Sequence, residues 1–168
     1  MYGALIVDGS PSRVTFTSSS GNAWMGIAFV PGSGSFNICS FFLILTVSAT
    51  YDFSGNYVSG SRLTSCDFFY AGVNGRSLSF NSSSPYLFDV TMSNMPPVVT
   101  AILATNLTTL RIEQSTFTGG YKDFCSGLEG YVQNLIVISS TFTWLHQAIN
   151  VANFEDVSIN QSDFLYWY

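Results

Sequence analysis

Residues 110–117 (LRIEQSTF), 135–142 (LIVISSTF) and 157–164 (VSINQSDF) repeat one short pattern in the last third of the chain. Apolar residues at the first and third positions alternate with mostly polar residues, which predicts a strand that buries one face. A serine and then a phenylalanine close each repeat. The repeats follow one another after 25 and 22 residues. This spacing is too long for a hairpin and is typical of one turn of a solenoid.

Four earlier segments fit the same template, at residues 14–21, 36–43, 61–68 and 88–95. The seven segments together predict an all-β parallel β-helix (solenoid) of about seven rungs, each of 22–27 residues. The predicted central apolar column consists of Phe16, Ile38, Leu63, Val90, Ile112, Val137 and Ile159. We expect residues 14–168 to form this solenoid and residues 1–13 to form an N-terminal strand or cap.

The predicted register is supported by the similarity of the residues that it stacks over one another. A second apolar column closes each strand: Leu43, Phe68, Met95, Phe117, Phe142 and Phe164. Small residues occupy the corner before it: Cys66, Ser93, Ser115, Ser140 and Ser162. Stacked apolar side chains predict a dry core. The corner hydroxyls are expected to bond the backbone of the turn.

The composition argues against several classes of protein. Charged residues make up 9% of the chain, the net charge is −5 and Lys122 is the only lysine, so a nucleic-acid-binding surface is not expected. The apolar run at residues 38–49 is shorter than the about 20 residues that a membrane helix needs. The three cysteines do not indicate a disulfide framework. No cofactor or metal motif is present, so neither is predicted.

Four charged residues form a candidate catalytic set: Arg62, Asp89, Arg111 and Glu113. The register predicts Arg62, Asp89 and Arg111 in one outward column on consecutive rungs, with Glu113 on the same face. One interpretation is a surface ladder of ion pairs between strands. The other is an acid/base site that cleaves a polysaccharide. The sequence favours the ladder, because a catalytic site needs more converging polar groups than these.

Five residues just past the phenylalanine column form an aromatic set, which we predict to bind glycans: Tyr70, Tyr121, Trp144, His146 and Tyr166. Exposed rings pack against the apolar faces of sugars. The alternative interpretation is that these rings cover loop backbone or a subunit interface. The overall aromatic content of 16% favours that alternative.

Residues 164–168 (FLYWY) follow the last predicted rung directly. The ends of a solenoid expose strand edges and core, and they normally carry a cap. We therefore expect this end to stack on another chain. The partner copy could belong to a homo-oligomer such as a trimer, or the chains could stack end to end.

The three repeats at residues 110–117, 135–142 and 157–164 resemble the right-handed parallel β-helix superfamily. This pectate-lyase-like superfamily includes pectate lyases, polygalacturonases, phage tailspikes and bacterial surface adhesins. The enzymes of the superfamily imply carbohydrate cleavage, but the Asp pair and Gly-His-Gly motif of polygalacturonases are missing. Tailspikes and adhesins share the hydroxyl-rich, low-charge composition, and they often form trimers.

The sequence therefore predicts an extracellular structural or adhesive β-helix, part of a virion tailspike or surface fibre that contacts glycans. The alternative is a polysaccharide lyase or glycoside hydrolase that uses the candidate catalytic set. A third alternative is an ice- or mineral-binding face on the column Thr17, Thr64 and Thr91, which Cys39, Glu113 and Ile138 interrupt.

Overall fold

The computed structural model describes residues 6–9, 12–17, 27–29, 48–69, 71–72, 75–82, 84–120 and 124–165 of the protein. Every regular element within these ranges is a β-strand, which confirms the all-β prediction. None of these residues belongs to a helix long and apolar enough to cross a membrane.

Fifteen strands lie within the described residues. In chain order they are β1 (Ile6–Asp8), β2 (Val14–Phe16), β3 (Ile27–Phe29), β4 (Thr50–Tyr51), β5 (Tyr57–Ser59), β6 (Arg62–Phe69), β7 (Arg76–Asn81), β8 (Tyr86–Ser93), β9 (Thr100–Glu113), β10 (Thr116–Thr118), β11 (Ser126–Ile138), β12 (Thr141–Thr143), β13 (Gln147–Ala152), β14 (Asp156–Asn160) and β15 (Asp163–Leu165). Thirteen belong to one sheet, and β4 and β5 form a separate antiparallel pair.

The chain forms three strand segments in each turn, and these segments define three faces. Face A comprises β1, the first halves of β6 and β8, the last parts of β9 and β11, and β14. Face B comprises β2, the second halves of β6 and β8, and β10, β12 and β15. Face C comprises β3, β7, the first parts of β9 and β11, and β13. Neighbouring strands on all three faces are parallel, which confirms the β-helix.

The chain from β6 to β13 coils through four successive turns. Strands β1 to β3 form one turn before them, because they pair directly with β6 and β7. Strands β14 and β15 begin one more turn after them. Because each turn contacts only its neighbours, the stability of such a coil is a sum of local contributions.

The core consists of columns of stacked side chains inside the coil. The central column of face A follows the register Leu63, Leu87, Ile112, Val137 and Ile159, and the backbone of Val7 pairs opposite Leu63. The second column, on face B, follows Phe16, Phe68, Met92, Phe117, Phe142 and Phe164. The Phe117 and Phe142 rings stack with centroids 4.9 Å apart. Each fully buried side chain of this size contributes about 1.5–3 kcal/mol.

The predicted register is wrong at Val90. This residue lies on face B, and Leu87 takes its predicted place in the central column. Likewise, Met92 rather than Met95 occupies the phenylalanine column. The cause is a valine at the corner position where the template expects a serine. The template therefore matched three residues too late, at Ser93.

The predicted register is also wrong in the first turn. The Phe16 ring stacks on the Phe68 ring at 4.7 Å, so it belongs to the second column. Ile38 and Leu43 lie outside the described residues. Among the described residues, the central column of face A has six register positions, from Val7 to Ile159.

The corner between faces A and B has one backbone conformation in five turns. Its residues have φ angles of 49–53°, in the left-handed region: Ser65, Asp89, Gln114, Ser139 and Gln161. This conformation costs a non-glycine residue roughly 1–2 kcal/mol. At three of these corners the serine that follows forms hydrogen bonds that offset that cost.

Ser115, Ser140 and Ser162 form a hydrogen-bonded ladder along this corner, which we call the serine ladder. Each hydroxyl donates to the carbonyl two residues earlier, at 2.8–3.0 Å. Each also accepts an N–H from the preceding turn, at 3.1–3.2 Å. The predicted bonds between corner hydroxyls and the turn backbone are therefore confirmed at these three serines. The predicted place of Ser93 in the ladder is wrong, because Val90 occupies that corner position.

The outer side of face B carries hydroxyl groups. Threonines on neighbouring turns pair there, Thr116 with Thr141 and Thr118 with Thr143. The predicted threonine column is wrong, because Thr64 lies on face A opposite Phe88 while Thr91 lies on face B. A threonine face therefore exists, but on other residues than the sequence predicted.

Strands β4 and β5 form a hairpin outside the coil. In the sequence, this hairpin lies between the first and second turns. Asp52 shapes the tip of this hairpin by accepting the N–H groups of Ser54 and Asn56 at 2.9 and 2.8 Å, as in an Asx turn. The hairpin packs on the outer side of face A, where the Tyr57 ring stacks on the Tyr86 ring at 5.4 Å.

Candidate functional site

The structure separates the candidate catalytic set. Arg62 and Arg111 lie in one outward column of face A, with Tyr86 between them. Asp89 lies at the corner between faces A and B instead. The predicted column of Arg62, Asp89 and Arg111 is therefore wrong, because of the same three-residue shift in register. A catalytic role for these residues stays a prediction.

Arg111, Glu113 and Tyr86 form one cluster on face A. The Arg111 guanidinium pairs with the Glu113 carboxylate, and the Tyr86 hydroxyl donates to the other carboxylate oxygen at 2.8 Å. Burial, and then the hydrogen bond to Glu113, raise the pKa of Tyr86. A tyrosine that stays protonated is a poor general base at neutral pH.

The hairpin covers this cluster. The Arg111 Cζ lies 5.5 Å from the centre of the Tyr51 ring, and the Arg62 Cζ lies 5.3 Å from that of Tyr57. Burial raises the pKa of Tyr51. The Tyr51 hydroxyl and the Arg62 Nε are buried and have no hydrogen-bond partner among the residues described. The cation–π contacts anchor the hairpin on face A.

Arg13 ties the first turn to the next two turns at the corner beside Asp89. Its guanidinium lies 2.6 Å from the Asp89 carboxylate and 2.8 Å from that of Asp67. Burial by itself raises the pKa of Asp89, but the hydrogen bonds from Arg13 and Ser65 outweigh it and hold the pKa below its usual range. Asp89 is therefore ionised and paired at neutral pH, as expected for a surface ladder of ion pairs.

The structure describes two residues of the aromatic set. The other three, Tyr70, Tyr121 and Tyr166, lie outside the described residues. Trp144 and His146 both lie on the turn from face B to face C. The His146 ring is exposed and meets the Phe124 ring edge-on at 5.3 Å. Glycan binding by this set stays a prediction.

Cys66 and Cys125 are buried in the core. Burial raises the pKa of Cys66 to about 11, so its thiol stays protonated and unreactive. Within the ranges described, no three His, Cys, Asp or Glu side chains are grouped as a metal site requires.

A groove that the sequence did not predict lies at the corner between faces C and A, and we call it the Tyr131 groove. It has a volume of about 330 Å³ and is lined by Asn106, Thr108, Tyr131, Gln133 and Asn153. The Tyr131 side chain is 49% exposed. The one signal in the sequence was Gly130 inside a strand, which often indicates a bulge or a close backbone approach.

Apolar core positions are exposed at the last turn that the structure describes. Val157 and Ile159 continue the core columns of face A, yet they are 38% and 45% exposed. A cavity of about 420 Å³ opens beside them, between Ile149, Ile159 and Phe164. Among the described residues, β13, β14 and β15 each pair on one side only. This end of the coil therefore combines apolar side chains with strand edges.

Comparison of the chain with protein-family models, with curated proteins and with solved structures finds no match.

Proposed function

We propose that the protein is an extracellular structural and adhesive β-solenoid, part of a virion tailspike or surface fibre that contacts glycans. The exposed apolar side chains and strand edges of the last described turn are the observation that carries this proposal. Membership of the pectate-lyase-like β-helix superfamily, on the side of its tailspikes and adhesins, is part of the same proposal. It is supported by the coil and by the neutral, hydroxyl-rich outer side of face B.

A turn that exposes apolar side chains and strand edges favours a partner with the same cross-section. Strand edges run along all three faces, and the apolar side chains of Val157 and Ile159 lie between them. Another solenoid turn pairs with the edges and covers the core at the same time, whereas a single strand covers one face only. Steric fit and backbone pairing thus favour a β-solenoid as the partner.

The first turn of a second copy meets this requirement. Among the described residues, Val7 and Phe16 occupy the first register positions of the two columns, and Ile159 and Phe164 occupy the last. A head-to-tail contact therefore continues both columns and produces a filament, because it does not close on itself. A closed homo-oligomer such as a trimer is the other assembly consistent with a surface fibre.

The test is the oligomeric state of the full chain, measured by light scattering and analytical ultracentrifugation. We expect the protein to associate in a concentration-dependent manner and Ile159→Glu to abolish association, because a charge cannot be buried in an apolar contact without a partner. Val58→Glu is the matched control, since Val58 is 60% exposed on the hairpin, away from the last turn. A wild-type chain that stays monomeric at all concentrations contradicts the proposal.

The enzyme alternative has one observation in its favour, which is the contact between Arg111, Glu113 and Tyr86. It is tested by incubation with pectin and with capsular polysaccharides, followed by assays for new reducing ends and unsaturated products. Turnover that disappears in Glu113→Gln or Asp89→Asn establishes a lyase or hydrolase. Absence of turnover with every substrate leaves the structural and adhesive function.

A further inference from the structure

We infer that the Tyr131 groove is a binding site for a neutral sugar ring. This inference deepens the proposed glycan contact and depends on it. It assigns that contact to a different part of the coil from the aromatic set.

A break in register builds the groove. Ala104 pairs with Gly130 and Leu107 pairs with Val132, so β9 contains one more residue than β11 over this stretch. At this corner Asn106 lies in the left-handed region, at a φ of 54°, as do Ser82 and Asn153 at the same corner of other turns. A bulge of this kind bends the strand and redirects its side chains, and bulges are frequent beside functional sites.

Gly130 is the residue that permits this close approach. Its φ is +129°, and a Cβ at this position would lie 1.8 Å from the Ala104 carbonyl oxygen. Any other residue therefore forces β9 and β11 apart. The next residue, Tyr131, points away from the core and is 49% exposed, whereas Val132 after it is buried.

The groove has an apolar floor, an aromatic wall and polar edges. Leu107 and Val132 are 2% and 1% exposed and lie beneath it. The side chains of Asn106, Gln133 and Asn153 line its edges, and all three residues are exposed. The volume of about 330 Å³ is at the lower end of the range of small-molecule sites, about 300–1,000 Å³.

This chemistry suits a sugar ring. The face of Tyr131 can pack on the apolar C–H face of a pyranose. Each amide side chain offers both a donor and an acceptor, which matches the hydroxyl groups of a sugar. A peptide strand fits less well, because the backbones of β9 and β11 already pair with each other and leave no free edge in the groove.

The charge of the site selects neutral sugars. The seven described residues that line the groove include no charged side chain. The N–H of Glu155 bonds the Gln133 carbonyl at 2.7 Å, so the acidic pair Glu155 and Asp156 follows directly beside the groove. Together with a net charge of −5, this disfavours a uronate or sialate.

The experiment is titration of the full chain with oligosaccharides, monitored by calorimetry and by NMR. The neutral probes are oligomers of glucose, galactose, mannose and N-acetylglucosamine, and the acidic probes are oligogalacturonate and sialyllactose. We expect a neutral probe to bind and Tyr131→Ala to weaken it about tenfold, because the stacking ring is lost. Tyr131→Phe keeps the ring and retains most of the affinity. Phe53→Ala, which removes an exposed ring from the hairpin tip, leaves affinity unchanged.

Each other outcome overturns the inference in a recognisable way. If a neutral sugar binds equally well to Tyr131→Ala but not to Trp144→Ala, the groove assignment is wrong and the proposed glycan contact survives. If acidic probes bind at Tyr131 more tightly than neutral ones, the ligand class is wrong. If no probe binds to the folded chain, the site is rejected, while the fibre proposal is still decided by the oligomeric state.

Discussion

The middle of the coil and its last turn contain the same residue types in the same columns, but in different environments. Ile112 is fully buried, whereas Ile159 in the same column is 45% exposed. The serine ladder shows the same difference, since Ser115 is buried and Ser162 is half-buried. Burial in a solenoid thus depends on the turn that lies above, and residue type alone does not decide it.

The largest expected effect comes from truncating the two isoleucines. Ile112→Ala removes fully buried methyl and methylene groups and should lower the free energy of unfolding by about 2–5 kcal/mol. Ile159→Ala should cost about 1 kcal/mol or less in the monomer, because water already reaches that side chain. Urea unfolding at low protein concentration measures both.

The two isoleucine variants also test whether assembly changes the free energy of unfolding. At concentrations where the chain associates, Ile159 becomes buried, and the cost of Ile159→Ala should rise towards that of Ile112→Ala. Equal costs in the dilute monomer would show that the last turn is covered within the chain itself.

A smaller effect is expected from breaking the serine ladder. Ser115→Ala leaves the buried N–H of Val90 without its partner and should cost about 1–3 kcal/mol. Ser162→Ala removes the equivalent hydroxyl at the open end. There water can replace it, and the cost should stay below about 1 kcal/mol. Thermal and urea unfolding of the two variants test this difference, and a reversed order would contradict it.

The smallest effect concerns pH. The pKa of Asp89 is lower in the folded state than in the unfolded chain, so its pairing with Arg13 stabilises the protein above the unfolded pKa of about 3.9. This stabilisation is lost as the pH falls through the folded pKa. Because the Asp89 side chain is 36% exposed, its contribution should be below about 1 kcal/mol.

Asp89→Asn should therefore destabilise the protein at pH 7 and make little difference near pH 2. Melting temperatures measured across this range test the expectation. Asp163→Asn removes a carboxylate from the last turn and controls for the loss of one charge. If the effect of Asp89→Asn is the same at pH 7 and pH 2, the ion pair with Arg13 does not contribute.

The sequence predicted the coil and most of its core. The Ser-Thr-Phe and Ser-Asp-Phe endings place Phe117, Phe142 and Phe164 in one column, and the pairing confirms it. The prediction failed at Val90, where the corner residue is apolar. An inward corner position accepts a valine as well as a serine, because the hydroxyl of the next turn bonds the valine N–H.

The candidate sites were less predictable than the fold. The Tyr131 groove forms where Asn106, Tyr131 and Asn153 meet from three successive turns. Gly130 inside a strand was the only local signal, and the proximity of the three residues follows from the stacking of β9, β11 and β13. The hairpin over face A was also missed, because its contacts with Arg62 and Arg111 link residues that are distant in sequence.

The sequence by itself determined that the chain coils. Period-2 alternation, the corner serines and the phenylalanines act within single strands and between equivalent positions of the repeat. Only the tertiary structure decided which segments are neighbours. It shows that β1 to β3 pair directly with β6 and β7, that the hairpin lies on face A, and that Val157 and Ile159 are exposed. The reason is that these contacts join residues far apart in the chain, so their free energy depends on the register of the whole stack.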